Sequence, residues 1–306
     1  MDKSAAAVFG ALVADAAALG LHWLYDVSRL AEVVERHGSA AFVPVDAAYF
    51  DGAQGYFAHG ARRDGQPTQY GATLRLVMAT ILRQGVPLDI TAYQADYAGF
   101  FGTGGDWRGY IDRPTKGTLE NLAKNQTDPS GVDDDQLPAL ATLPAVIVAH
   151  GGRGDLAQRV QAAQRVTNVN PEAVRYGRVF TDLLTQVLNG IPLPQALRSA
   201  AGTDAPLLAA LDSDQPDSVV FGETTGRACH LWMGMPLAFH ILVRATDFAD
   251  AVERNIRAGG DSAGRAIVIG AVMGAVRGAQ DIPLDWVLAL EDGRSIWAEC
   301  RALSAL

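Results

Sequence analysis

The chain has 306 residues, 49% of them hydrophobic and 19% charged, with a net charge of −9 at pH 7. That is too apolar for a disordered chain and too acidic for a nucleic-acid footprint, and the length suffices to bury roughly 75% of the unfolded surface without a staple. The two cysteines, Cys229 and Cys300, lie far apart with no C-x-x-C spacing, which excludes a disulfide framework and a cysteine zinc site.

Helical periodicity dominates from the start. Ala5–Leu24 reads as a buried helix with Asp15 inside it, and a buried acid without a partner is rare. The same stretch does not read as a signal peptide, because Asp2 nearly cancels Lys3 and Asp15 interrupts the apolar run. The apolar run Ala266–Val276 is too short to span ~30 Å of hydrocarbon, so a soluble cytoplasmic protein without membrane partners is expected. Val27–His37 is amphipathic and ends at Gly38, a C-cap signal. From Phe42 to Gly71 a long glycine-punctuated loop carries Tyr49, Phe50, Tyr56, Phe57, His59, Arg62 and Arg63. Loops of this length in a compact domain are usually functional or disordered, and this one is too aromatic for a linker.

Ala72–Gln84, Asp89–Phe101 and Thr115–Lys124 read as helices. Asp133, Asp134, Asp135 and Gln136 then precede the apolar run Leu137–His150. Acids before a helix satisfy its free N–H groups and its dipole, which accounts for one or two of the three. Leu156–Val166, Glu172–Leu188 and Leu193–Ala201 follow as helices, and residues 202–218 read as a polar loop. His230–Arg244 and Phe248–Arg257 are helical, and Gly259-Gly260-Asp261-Ser262 opens a small-residue helix running to Gly278. No alternating strand pattern and no repeat of 20–50 residues interrupts this series. The expectation is an all-α fold with one domain spanning 1–306.

The segment Ala258–Gly274, AGGDSAGRAIVIGAVMG, resembles the last signature of the ADP-ribosylglycohydrolase family, Gly-Gly-Asp-Thr-Asp-Thr. Gly10–Trp23, GALVADAAALGLHW, resembles that family's Gly-Asp-x-x-Gly opening helix. Pro67–Leu82 lies where the family has Thr-Asp-Asp-Thr and an apolar helix. Arg165–Val174 is similar to its Thr-His-x-x-Pro segment, and Asp133–Pro144 occupies its Gly-Asn-Gly-x-x-Met-Arg position. The resemblance implies a compact orthogonal helical domain with a central site and, in the family's hydrolases, two divalent metals. Several matching positions depart from that pattern. Thr68 matches the first threonine, but Gln69 and Tyr70 replace both acids; Asp261 and Ser262 match, but Ala263 and Gly264 replace the second acid and threonine. Asp15 is kept, His22 stands where a glutamate is common, and Asn168 replaces the histidine.

Magnesium and manganese need several hard oxygen ligands, so Thr68 and Asp261 support at most one Mg or Mn ion and not two adjacent dications. Glycoside hydrolysis without metal needs an anion for the oxocarbenium-like state and a base for water. Asp15, Asp261, Asp134 and Asp135 are the available carboxylates, and His22 is the candidate imidazole for acid–base work. Gln69, Tyr70, Gln136, Asn168, Glu223, His230, Ser262 and Arg265 are the candidate ligand-binding residues. Arg265 in an apolar helix needs an anionic partner, either a protein acid or a ligand phosphate. Two readings follow from the resemblance. One is a hydrolase of an N- or O-glycosidic bond in ADP-ribosyl or related ribosyl compounds, free or on a substrate protein, working without the metal pair. The other is a relative that binds ADP-ribose or a nucleotide without turnover. A purely structural role has family precedent in lens crystallins.

Overall fold

Aspartates start half of the helices. The computed structural model describes residues 2–306, and among them the chain forms sixteen α-helices and no strand. They are α1 (Lys3–Ala18), α2 (Val27–His37), α3 (Gln69–Gln84), α4 (Ile90–Phe101), α5 (Arg113–Ala123), α6 (Leu143–His150), α7 (Leu156–Gln164) and α8 (Pro171–Leu188). The second half holds α9 (Leu193–Ala201), α10 (Ala205–Asp212), α11 (Ser218–Thr225), α12 (Leu231–Arg244), α13 (Phe248–Arg257), α14 (Ser262–Arg277), α15 (Leu284–Ala289) and α16 (Gly293–Ser304). Asp2, Asp26, Asp89, Asp112, Asp204, Asp217, Asp247 and Asp261 each accept a first-turn N–H, so much of the acidic surplus is capping chemistry.

Helices α1 and α14 form the central pair, the most extensive contact in the molecule. They run antiparallel and nearly touch. A Cβ on Gly10 would overlap the carbonyl of Gly270, and one on Gly274 would overlap that of Ala6. Lys3–Leu21 is long and apolar enough to cross a membrane by length and composition, but 94% of its most apolar window lies inside the fold. The other helices wrap this pair, and buried side chains from α1 to α16 form one contiguous core.

The structure departs from the periodicity in three places. The first helix stops at Ala18 and tightens into a 3-10 turn, Leu19–Leu21. There the Phe42 N–H takes the Ala17 carbonyl at 2.9 Å, and Val43 O fills the space a Gly20 Cβ would need. The run Leu137–His150 splits into a 3-10 turn, Leu137–Leu140, and α6, each with a proline in its first turn where no donor is missed. Residues 202–218 contain α10, capped by Asp204, where a polar loop is expected. The apolar stretch Ala205–Leu211 is short enough to be masked by its polar flanks.

Candidate functional site

The N-terminus of α14 is pinned beside the end of α1 by backbone pairing. The Trp23 N–H donates to Gly260 O at 2.8 Å, and the Gly260 N–H donates to Leu24 O at 2.9 Å. Gly260 has φ +66 and would collide with Arg227 O if it carried a Cβ, so glycine is required there. This pairing brings His22 onto Asp261, whose carboxylate is surrounded by three donors. His22 Nε2 lies 3.0 Å from Oδ1, the Gly264 N–H donates to Oδ1 at 2.8 Å, and the Tyr70 hydroxyl donates to Oδ2 at 2.7 Å. Burial pushes the Asp261 carboxyl up, but the His22 hydrogen bond and charge, the Tyr70 hydroxyl and the Gly264 amide together hold it below the usual carboxylate value.

Behind His22 stands His59, with Nε2 2.7 Å from His22 Nδ1. Burial, then the His22 and Arg62 charges, push His59 well below its usual value, so it is neutral. With Asp261 ionised, His22 Nε2 carries a proton toward it, and His22 Nδ1 and His59 Nε2 share one further proton, its donor set by the tautomer. The arrangement is a buried carboxylate–imidazole–imidazole row. Trp23 covers it with ring centroids 4.4 Å from His22, and Tyr110 packs edge-on to Trp23 at 5.1 Å. Trp23 sits at φ +65, an uncommon backbone for a bulky residue and a frequent companion of functional sites. Tyr56 completes this aromatic cover and is 57% exposed.

Asp15 reaches the N-terminus of α3 instead. Its carboxylate accepts the Thr68 N–H at 2.9 Å and the Thr68 hydroxyl at 2.5 Å. A Cβ on Gly71 would overlap its Oδ2, so the acid is clamped against the helix end. Burial pushes it up to about 7, with the Thr68 donors, the Gly71 amide and the Arg62 charge pulling the other way. Asp15 and Asp261 are both fully buried, and neither bonds the other.

Asp134 and Asp135 lie at the rim on a different segment. Asp135 pairs with His230 Nδ1 at 2.8 Å, both partly exposed. Asp134 is buried, accepts the Gln136 N–H at 3.0 Å and the Asn168 amide at 3.3 Å, and meets Arg113 at 3.5 Å; burial raises it. Gln136 pairs with His230 through the backbone, and Asn168 keeps an unpartnered buried Oδ1. Cys229, next to His230, is pushed up to about 12 by burial and by the Asp261 charge, so it stays a thiol and makes a poor nucleophile.

Four candidates stand apart. Arg265 is fully buried but finds no carboxylate: it donates to the Asn255 side chain at 2.9 Å and to the carbonyls of Asn255, Gly259 and Arg227 at 3.2, 2.6 and 3.3 Å. Burial lowers it to about 10, still charged at neutral pH. It buckles the α13–α14 turn together and spends four of its five N–H donors on protein oxygens. Ser262 is buried with its hydroxyl unpartnered, and its carbonyl takes the Asn255 amide. Glu223 is exposed on α11, on a groove of about 380 Å³ with Tyr25, Gln54 and Arg227. Gln69 points into α5, donating to the Thr115 hydroxyl and accepting the Asp112 N–H at 2.7 Å. Asp112 escaped the sequence reading. It is buried near Asp261 and Asp134 and raised by burial, and only its place before Arg113-Pro114, a helix-start signal, marked it.

The donor set does not fit the metal pair of the family's hydrolases. Asp261 brings the one carboxylate, and His22, Tyr70 and Gly264 already hold it; the Thr68 hydroxyl gives its proton to Asp15 and accepts from the Tyr70 N–H. Among the described residues no three His, Cys, Asp or Glu side chains cluster as metal ligands. The positions of the missing acids are filled by Gln69 and Tyr70, and the enclosed space beside them, about 10 Å³, suits one water and not a sugar.

An all-helical fold built on a glycine-tight central pair, with an aspartate-capped Gly-Gly-Asp helix at the centre, defines the class. The sequence profile of the ADP-ribosylglycohydrolase family matches residues 1–306, and the chain belongs to that family. Crystallin J1A of Tripedalia cystophora is 26% identical over 324 residues, covering 100% of this chain and 97% of that protein. Crystallin J1B of the same animal is 26% identical over 319 residues, covering 96% and 94%. A solved structure described as an ADP-ribosylglycohydrolase-related protein complex superposes with a TM-score of 0.73 over 99% of this chain and 97% of its own, at 20% identity, which shows the shared fold.

Proposed function

We propose that this protein binds an ADP-ribosyl or related ribosyl compound and does not hydrolyse it by the family's metal-assisted route. The supporting observation is the surroundings of Asp261: its own chain places the donors of His22, Tyr70 and Gly264 on the carboxylate where cations would otherwise sit. An N-cap aspartate held by three donors in this way stabilises the fold and has most of its acceptor capacity spent on its own chain. The ligand then lies outside the sealed centre, with a flat ring against the exposed face of Tyr56 and hydroxyls toward Asp135 and His230. Calorimetry with ADP-ribose, combined with a product assay at stoichiometric protein over a panel of ADP-ribosylated peptides, tests this. Binding without release is expected. Release of ribosyl product would overturn the non-hydrolytic part, and absence of binding at millimolar ligand would overturn the rest.

One observation supports the hydrolytic reading instead. Asp135 and His230 form a partly exposed carboxylate–imidazole pair at hydrogen-bond distance, a plausible general base for water. On that reading, turnover exists, needs no added metal and disappears in His230→Ala.

A further inference from the structure

A cavity of about 660 Å³ lies away from the sealed centre. It opens on the side of α3 that carries Ala72, Arg75, Leu76 and Ala79. Ala79 is nine residues from Tyr70, about two and a half helical turns, and so points away from Asp261. Phe100 and Trp107 form the facing wall. A volume of this size falls in the range of small-molecule sites, and its wall mixes apolar side chains such as Leu76, Leu82, Phe100 and Trp107 with three arginines and three acids.

Its distinguishing group is Arg62. The guanidinium is half-buried and lies 4.5 Å over the Trp107 ring. Nε donates to Pro67 O at 3.1 Å and Nη1 to Arg108 O at 3.4 Å, while Nη2 has no protein acceptor. No carboxylate lies within ion-pair distance of it among the described residues, although burial alone disfavours its charge. Of the other charges on its wall, Arg83 pairs with Asp96 at 2.5 Å and Glu291 holds Arg63 at 3.1 Å and Gln66 at 3.0 Å, while the acids Asp106 and Glu299 form no ion pair among the described residues. A half-buried cation with a free donor edge, fixed flat on an indole, calls for an anion, and the apolar walls call for a hydrophobic body attached to it.

We propose that this cavity is a second ligand site, taking a small organic anion with a flat apolar body, its acid on the Nη2 edge of Arg62 and its body against Trp107, Phe100 and Leu76. This site is independent of the ribosyl reading. The probe is 1-naphthylacetate, titrated by calorimetry into the intact protein, with neutral 1-naphthylacetamide as the matched control. One-to-one binding with a micromolar Kd is expected, at least tenfold weaker for the amide and for Arg62→Gln. Ala79→Trp, at an exposed position on the wall, fills the space without touching Arg62 and should abolish binding while its melting temperature stays near wild type. Equal affinity for acid and amide, affinity unchanged in Ala79→Trp, or no saturable binding at millimolar probe each overturn the proposal.

Discussion

Replacing Tyr70 by Phe removes one hydroxyl from the centre of the molecule and changes little else. The ring stays in its buried slot, but Asp261 Oδ2 loses its 2.7 Å donor. A hydrogen bond to a charged group contributes about 1.5–3 kcal/mol, and the upper part of that range applies where the remaining oxygen is sealed from water. Unfolding entropy of about 2.1 cal/mol/K per residue, over 306 residues, gives ~0.6 kcal/mol/K. A loss of ~2.5 kcal/mol therefore lowers the melting temperature by roughly 4 °C. The pH dependence sharpens the test. Asp261 is held below its usual value, so its contribution is present above the unfolded carboxylate range and is lost as pH falls through the folded value. The gap between wild type and Tyr70→Phe should be full at pH 7 and narrow as acid protonates Asp261. Calorimetric melting at pH 7 and at pH 3.5 reads both. A variant within 1 °C of wild type at pH 7 would refute the claim that Tyr70 stands in for a cation on Asp261.

Other consequences follow from the same geometry. Asp15 is raised from 3.8 to about 7 by burial, so the stability its protonated form contributes is whole below pH 3.8 and is lost as pH rises through 7. Asp15→Asn should therefore destabilise more at pH 5 than at pH 8, by roughly 2–3 kcal/mol, in denaturant melts at the two values. Manganese at 1 mM should leave the spin-resonance spectrum of the free aquo ion unchanged in the presence of wild-type protein; micromolar binding that Asp261→Asn removes would contradict the donor analysis. Arg265→Met should lose at least ~3 kcal/mol, since four protein oxygens are left unpaired, while affinity for ADP-ribose in the folded fraction stays at the wild-type level.

Much of the site was visible as residue types without partners. Asp15 and Asp261 stood out as acids in apolar helices, and both are fully buried. The acids absent at Gln69, Tyr70 and Ala263, and the threonine absent at Gly264, already spoke against a metal pair. Arg265 shows the limit of that logic. A buried cation predicts a partner, but carbonyl oxygens at a glycine turn serve as well as a carboxylate, and no residue pattern distinguishes the two. His59 was visible only as a ring in a long loop, and Asp112 only as a helix start.

The sequence by itself determined the helical class, because period-3.6 burial and capping aspartates are local properties encoded within a turn or two. It also determined the family, through the order of its glycine-rich signatures. The tertiary structure alone decided what each buried polar group touches. Tyr70 meets Asp261 across 191 positions, and His22 meets His59 across 37. Periodicity tells which face of a helix turns inward. Which donor finds which acceptor depends on how the α1–α14 pair and the loop before α3 close on one another, and that closure is what places His22, Tyr70 and Gly264 around Asp261.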